Sequence, residues 1–276
     1  MSWTPTEPRS KEGTTISAER VLAIGGLDPS GGSGIGRDAA TLAQAGATPL
    51  LVATAITVQE DGGVARIEPV AGDVVAAGIA VAMRRGVGAV KLGMLHRLEV
   101  VEAVAEGIAG AGVPVVLDPV LSASSGDALS DPGLERALSR LQAWTTVVTP
   151  NLDEARRLLG DPALDAPSAA RALVDAGWSA ALVTGGDRDG EEAIDELATP
   201  SWSRTLGAPR VSGRSPRGTG CAFASLIAAG LAKGDDLETA CRTAKGQLRR
   251  MILDAHEGLL GSGVRTVWPY AGHPFE

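Results

Sequence analysis

From Val21 onward, short apolar runs alternate with longer stretches of helical period, and this alternation leaves few architectures open. The apolar runs fall at 21–24, 50–55, 89–92, 115–117, 146–148 and 181–183. Helical patterns occupy 38–45, 74–85, 98–111, 132–141, 153–159 and 168–176, with two more at 221–232 and 237–254. Strand, helix, strand, repeated this often, predicts βαβ units and a mostly parallel sheet with helices on both faces. A single α/β domain is expected over 19–276. The segment 57–70, "TVQEDGGVARIEPV", has no helical period and reads as a small β excursion beside the sheet, a lid or a dimer edge.

Composition narrows the function classes. The net charge of −8 argues against a nucleic-acid surface or an anionic membrane, although a local field can still receive an anionic substrate. Two cysteines, Cys221 and Cys241, make neither a disulfide framework nor a zinc site, and a reducing cytoplasm suits them. Residues 1–18 are polar, carry Pro, Gly and Thr, and have no apolar core; they read as a disordered tail rather than a signal peptide. No apolar run reaches the length of a membrane span.

In a sheet of this kind ligands bind at the carboxyl ends of the strands, so the loops there carry the chemistry. The first, "GGLDPSGGSGIGRD" at 25–38, has six glycines and can wrap a small molecule with its N–H groups. It fits neither a dinucleotide fingerprint nor a Walker A loop. The second, "TPNLDEA" at 149–155, sets Asn151 and Glu154 three apart at a helix start. They could hold Mg²⁺ directly or through its waters, but an ordinary capping box explains the same spacing better on its own. The third, "LVTGGDRDG" at 182–190, reads by itself as a turn. The fourth, "RGTGCAFASLIAAGLAKG" at 217–234, could aim successive N–H groups of Gly218, Thr219 and Gly220 at one anion, with a helix dipole behind them. A thiol at that helix start is expected to have a lowered pKa and to serve as base or nucleophile; the plain alternative is a small buried residue. Cys241, in mid-helix between alanines, reads as core.

Taken together, these loops resemble the ribokinase superfamily, and within it the bacterial hydroxymethylpyrimidine and phosphomethylpyrimidine kinases of thiamin synthesis. The matching stretches are "GGLDPSGGSGIGRD", "TAITVQ" at 54–59, "KLGML" at 91–95, "LDPVLSASSGDAL" at 117–129, "TPNLDEA" and "GTGC", in the family's order. The resemblance implies an ATP- and Mg²⁺-dependent kinase. It makes Gly218, Thr219 and Gly220 the anion hole for the transferred phosphoryl group and Cys221 the base beside the acceptor hydroxyl. It puts Gly26, Asp28, Ser33, Asp38, Gln59, Met94 and Val120 around the ring substrate, Asn151 and Glu154 at Mg²⁺ and phosphate, and Thr184, Gly185 and Gly186 at the nucleotide. It also implies a homo-oligomer, a dimer in the first instance.

The chain departs from the family pattern at several positions. Ser124 and Thr184 stand where the family usually has lysines, and Arg217 where a His often precedes "GTGC". Gly36 replaces a usual Gln, and Glu60 an Asn. With both lysines absent, phosphate neutralisation falls to Mg²⁺, the 218–221 segment and whichever of Arg37, Arg188 and Arg217 reach the site, so a second phosphorylation is expected to suffer more than the first. The rival readings are a pyridoxal-type vitamin kinase and a non-catalytic relative that kept the pocket; a dinucleotide oxidoreductase fits poorly.

Overall fold

The computed structural model describes residues 19–60, 63–122, 126, 129–186, 190–212 and 216–258. The expected tail at 1–18 lies outside them, as do Ser124 and Arg188.

Nine strands form one sheet: β1 (Arg20–Leu27), β2 (Thr48–Glu60), β3 (Gly63–Pro69), β4 (Ala89–Leu92), β5 (Val115–Leu117), β6 (Val147–Val148), β7 (Ala181–Val183), β8 (Glu192–Ala198) and β9 (Ser203–Pro209). Their order is β3-β2-β1-β4-β5-β6-β7-β8-β9. The six strands from β2 to β7 run parallel, and β3 at one edge and β8–β9 at the other are antiparallel additions. The mostly parallel α/β sheet is therefore the one the alternation predicts.

The parallel strands are buried on both faces, and alternate side chains of each feed two cores. Leu22 and Ile24 of β1 join the core under α2 (Gly72–Met83), α3 (Leu98–Ile108), α4 (Leu134–Ala137), α5 (Leu152–Leu159) and α6 (Ala166–Asp175). Val21 and Ala23 point to the opposite core, built with α1 (Gly34–Gln44), α7 (Thr219–Ala232) and α8 (Leu237–Gly258). Helix α7 is apolar all round because it is enclosed: ten of its fourteen residues are buried, five of them alanines, and a Cβ on its Gly230 would lie 3.2 Å from Ala240 of α8.

The departures from expectation have local causes. The expected helix at 132–141 is α4 followed by a 3₁₀ helix, Leu138–Trp144, in which buried Leu138 and Leu141 sit three apart, the period of that tighter winding. Helix α7 begins two residues before Cys221. The excursion at 57–70 is the end of β2 and the edge strand β3, paired antiparallel from Glu60↔Gly63 to Ala55↔Pro69. The β8–β9 hairpin was hidden because "EEAIDELA" and "SRTLGAP" are polar, solvent-facing edge strands in which Leu197, Ala198 and Leu206 alone supply buried apolar side chains.

The strand order places the site. The chain leaves β1 to one side for β2 and returns on its other side as β4, so the crevice between the carboxyl ends of β1 and β4 is a topological switch point, where such sheets bind ligands. The first glycine-rich loop leaves β1 there and folds back so that Leu27 bridges Gly34. Gly34 has φ of 62°, and a Cβ on it would lie 2.1 Å from the Gly26 carbonyl oxygen. Gly34→Ala should therefore cost more than about 1 kcal/mol, since alanine pays for a positive φ and the carbonyl must also move. Urea denaturation measures this; an unchanged midpoint would show that the loop does not need the fold-back.

Candidate active site

The site forms where three segments meet above the switch point. On one side, the Asp28 carboxylate accepts hydrogen bonds from Ser30 N (2.9 Å), Ser30 Oγ (2.7 Å) and Ser33 Oγ (2.8 Å). Gln59 Nε2 donates to Ser33 Oγ at 3.2 Å, and Arg217 Nη2 reaches Asp28 Oδ2 at 3.4 Å. Gln59, Ser33, Asp28 and Arg217 are thus one hydrogen-bonded line from β2 across the first loop to the turn before α7. Burial alone would raise the Asp28 carboxyl. The Ser30 and Ser33 bonds, with Arg217, outweigh it and hold the group below the usual carboxylate value.

Beside this line lies an apolar wall. Met94, Ala55 and Leu129 pack together with Val64, Ile67 and Val120. A Cβ at Gly26 would lie 2.7 Å from Met94 Cε, so the bare backbone at Gly26 makes room for the methionine. Thr54 Oγ1 donates to the Met94 carbonyl at 2.6 Å and ties the wall to β2. Gly26, Asp28, Ser33, Gln59, Met94 and Val120 are in this way gathered around one crevice.

The third segment is the start of α7. Gly218 is its N-cap, with φ of 78° and no side-chain cap, and Ala222 N bonds back to the Gly218 carbonyl at 2.9 Å. The N–H groups of Thr219, Gly220 and Cys221 precede the first intrahelical bond and carry the positive end of the dipole. A Cβ at Gly218 would lie 2.2 Å from the Gly32 carbonyl oxygen, so only glycine lets this turn touch the first loop.

Beneath Cys221 is a charged cluster of which the site residues expected from sequence included Asp38 but neither Lys91 nor Asp118. Lys91 is buried in β4 and binds both oxygens of Asp38, at 3.0 and 2.9 Å, and lies 3.7 Å from Asp118. Ser225 Oγ of α7 also donates to Asp38 at 3.0 Å. Burial alone would lower Lys91, but Asp38 first, then Cys221 and Asp118, hold it above the usual lysine value. Asp38 was expected at the ring substrate. Instead it is fully buried with its oxygens committed to Lys91 and Ser225, because α1 turns it inward toward β4. A lysine inside "AVKL", a strand buried at every position, was the available signal: a charge there requires a buried carboxylate partner.

Cys221 is half-buried. Burial pushes its thiol up to about 12; Lys91 opposes this, Asp118 and Asp38 add to it, and the Gly34 N–H opposes it. The expected acidified thiol is therefore corrected: the cation beside it is already paired with carboxylates, and desolvation outweighs Lys91 and the Gly34 N–H. Cys241 is buried in α8, as its alanine neighbours suggested.

Asn151 and Glu154 form the capping box of α5: Glu154 N donates to Asn151 Oδ1 at 2.8 Å and Asn151 N to Glu154 Oε2 at 3.0 Å. Asn151 bridges Thr184, whose N–H donates to the Pro150 carbonyl, so the capping box and the Gly185-Gly186 loop are adjacent. Gly185 N donates to buried Asp195, which binds Lys245 of α8 at 2.6 Å. Arg210 caps the same loop from outside, donating to the carbonyls of Gly185, Gly186, Gly190 and Glu192. Among the described residues no three His, Cys, Asp or Glu side chains gather as a metal cage. Asn151 and Glu154 put an amide oxygen and a carboxylate at the start of α5, a donor set that fits a hydrated Mg²⁺ approached through water rather than a direct ligand set.

A model of the phosphomethylpyrimidine kinase family matches residues 28–268. A hydroxymethylpyrimidine/phosphomethylpyrimidine kinase of Streptomyces coelicolor is 42% identical over 257 residues, covering 91% of this chain and 94% of that protein. One of Rhizobium meliloti is 40% identical over 250 residues, covering 88% and 94%. Among solved structures, the pyridoxal kinase of Staphylococcus aureus in complex with pyridoxal superposes with a TM-score of 0.78 at 27% identity, over 86% of this chain and 88% of that one.

Two measurements test the buried chemistry. Lys91→Met leaves Asp38 and Asp118 without their cation and should cost about 3–5 kcal/mol in urea unfolding; a loss under about 1 kcal/mol would show the cluster to be hydrated. Because the thiolate is the reactive form and the Cys221 thiol is pushed up to about 12, its alkylation by iodoacetamide should rise about tenfold per pH unit from 7 to 10 without a plateau. A plateau near pH 8, read by peptide mass, would mean an acidified thiol after all.

Proposed function

The chain belongs to the phosphomethylpyrimidine kinase family, and from that premise we propose that it transfers the γ-phosphoryl group of ATP to the primary hydroxyl of hydroxymethylpyrimidine, and further to the monophosphate, in thiamin synthesis. The observation that carries this reading is the hydrogen-bonded line from Gln59 through Ser33 and Asp28 to Arg217, which joins an amide suited to an aminopyrimidine edge directly to the 218–221 segment.

In this reading Gln59 pairs with the polar edge of the ring and Met94 and Val120 cover its faces. The N–H groups of Thr219, Gly220 and Cys221 receive the transferred phosphoryl oxygens. The acceptor oxygen forms a bond to the γ-phosphorus as the bond to ADP breaks, and ADP leaves with the electron pair. The hydroxyl proton passes to Cys221 Sγ while the thiol proton passes to Asp118, whose proton affinity burial raises. Such a transfer demands positioning and charge stabilisation more than a strong base, so a neutral resting thiol is compatible with it. Thr184, Gly185 and Gly186 border the nucleotide, their backbone held by Asp195, Lys245 and Arg210. Asn151 and Glu154 would hold Mg²⁺ through water, and the ion would supply charge neutralisation for the transferred phosphate.

A pyridoxal-type acceptor is the second reading, favoured by the likeness to the S. aureus kinase. A panel of hydroxymethylpyrimidine and pyridoxal with ATP and Mg²⁺, read by product mass, separates the two. We further infer a homodimer through the β2–β3 edge, supported by exposed Leu51, Ile56 and Val58 on β2. A reducing cytoplasm suits the two free thiols, and no helix among the described residues is long and apolar enough to cross a membrane.

Cys221→Ala should leave melting and pyrimidine binding nearly unchanged and lower turnover of the alcohol at least roughly a hundredfold, the scale of lost proton transfer. Near-normal turnover would make Cys221 a packing residue. Gln59→Leu keeps much of the shape but leaves the ring edge unpaired, and should weaken pyrimidine binding by about 1–3 kcal/mol without changing nucleotide affinity. Equal losses for both ligands, measured by calorimetry, would point to a collapsed pocket instead.

A further inference from the structure

Resting on the kinase reading above, we propose that His96 is a positioning residue for the ring acceptor. Its side chain ties the chain that returns from β5 to the end of β4, and so holds Leu129 beside Met94 in the apolar wall of the crevice. His96 has φ of 63°, and among the described residues every other positive φ belongs to a glycine. Arg97 N donates to the Leu95 carbonyl at 2.7 Å, which makes His96 the centre of a three-residue turn. With a positive φ at its centre, this is the rare and strained form of that turn. Glycine would relax the backbone here at no steric cost, so a histidine kept in this conformation points to a use for its side chain.

The side chain has such a use. His96 Nδ1 lies 2.8 Å from the Leu129 carbonyl oxygen, which can only accept, so Nδ1 carries the proton and donates it. The His96 carbonyl in turn accepts from Asp131 N at 3.0 Å. One residue at the end of β4 thus holds two points of the returning limb, 129–131. The outgoing limb is fastened separately, by Asp118 N donating to the Leu92 carbonyl at 2.8 Å. Leu129 N joins the two limbs by donating to the Leu121 carbonyl at 3.1 Å. Val120 lies on the outgoing limb and Leu129 on the returning one, and both belong to the apolar group around Met94, two residues before His96. The Gly185-Gly186 loop is held by other groups, Asp195 and Arg210. Loss of the Nδ1 bond leaves the backbone ties of both limbs in place but frees Leu129 on the side facing β4. Its effect falls on the ring acceptor and not on the nucleotide.

The test compares the intact protein with His96→Ala, His96→Gly and His96→Asn. His96→Ala loses the donor and keeps the strain, whereas His96→Gly loses the donor and relieves the strain. In asparagine Nδ2 stands on Cγ as Nδ1 does in histidine, and asparagine accepts a positive φ, so His96→Asn keeps both features. Calorimetry measures binding of hydroxymethylpyrimidine, pyridoxal and ATP, steady-state assays give KM for acceptor and ATP, and thermal melting reports stability. His96→Ala and His96→Gly should each weaken acceptor binding and raise acceptor KM by about three- to tenfold, the scale of one lost neutral hydrogen bond. ATP binding and ATP KM should not change. His96→Gly should melt above His96→Ala without recovering acceptor affinity, and His96→Asn should recover most of that affinity. Acceptor affinity that merely follows the melting temperature, equal losses for acceptor and ATP, or unchanged acceptor binding in His96→Ala would each overturn the proposal while leaving the kinase reading in place. Binding of neither ring compound by the intact protein would overturn both.

Discussion

The buried pair between Lys91 and Asp38 is the interaction on which the rest of the site depends. Placing an ammonium in the middle of a sheet costs several kcal/mol of lost hydration, which close carboxylates must offset. Asp38 does so from α1 through two contacts near 3 Å, Ser225 adds a bond from α7, and Asp118 stands at the end of β5. One cation therefore fixes the rotation of two helices against the sheet. Helix α1 ends the first loop and α7 begins with the 218–221 segment, so this pair sets how far apart the two loops lie.

The loops then meet by backbone rather than by side chain. Gly34 lies against the Gly26 carbonyl and Gly218 against the Gly32 carbonyl, both at separations no Cβ could occupy. The result brings Asp28 within 3.4 Å of Arg217, directly before the α7 turn. At the opposite end a second buried pair, Asp195 with Lys245, reaches up to the Gly185 N–H. Helices α7 and α8 pack against each other in one core, so the Asp28 loop and the Gly185-Gly186 loop share a single support.

Much of this was legible in the chain. Period and spacing identified the parallel strands and the order of the motifs, because strands buried on both faces are short and continuously apolar while the covering helices keep their own period. The β8–β9 hairpin was not legible, since an edge hairpin wetted on one side buries too few apolar residues to announce itself. The loops carrying Asp28, Asn151 and Gly218 were visible as glycine- and cap-rich punctuation at strand ends. Which of their side chains face the crevice was not.

The sequence by itself determined the α/β architecture, the places where loops leave the sheet and the family to which the chain belongs, because these depend on local periodicity and on motifs contiguous in the chain. Tertiary structure alone decided the chemistry at each carboxylate and thiol. Asp38 is drawn from the crevice into the core by Lys91, fifty-three positions away. Cys221 is raised rather than acidified because desolvation and two neighbouring carboxylates outweigh Lys91 and the Gly34 N–H. Arg217 reaches Asp28 across 189 positions. Protonation and charge pairing depend on distances between groups far apart in the chain, and folding alone sets those distances.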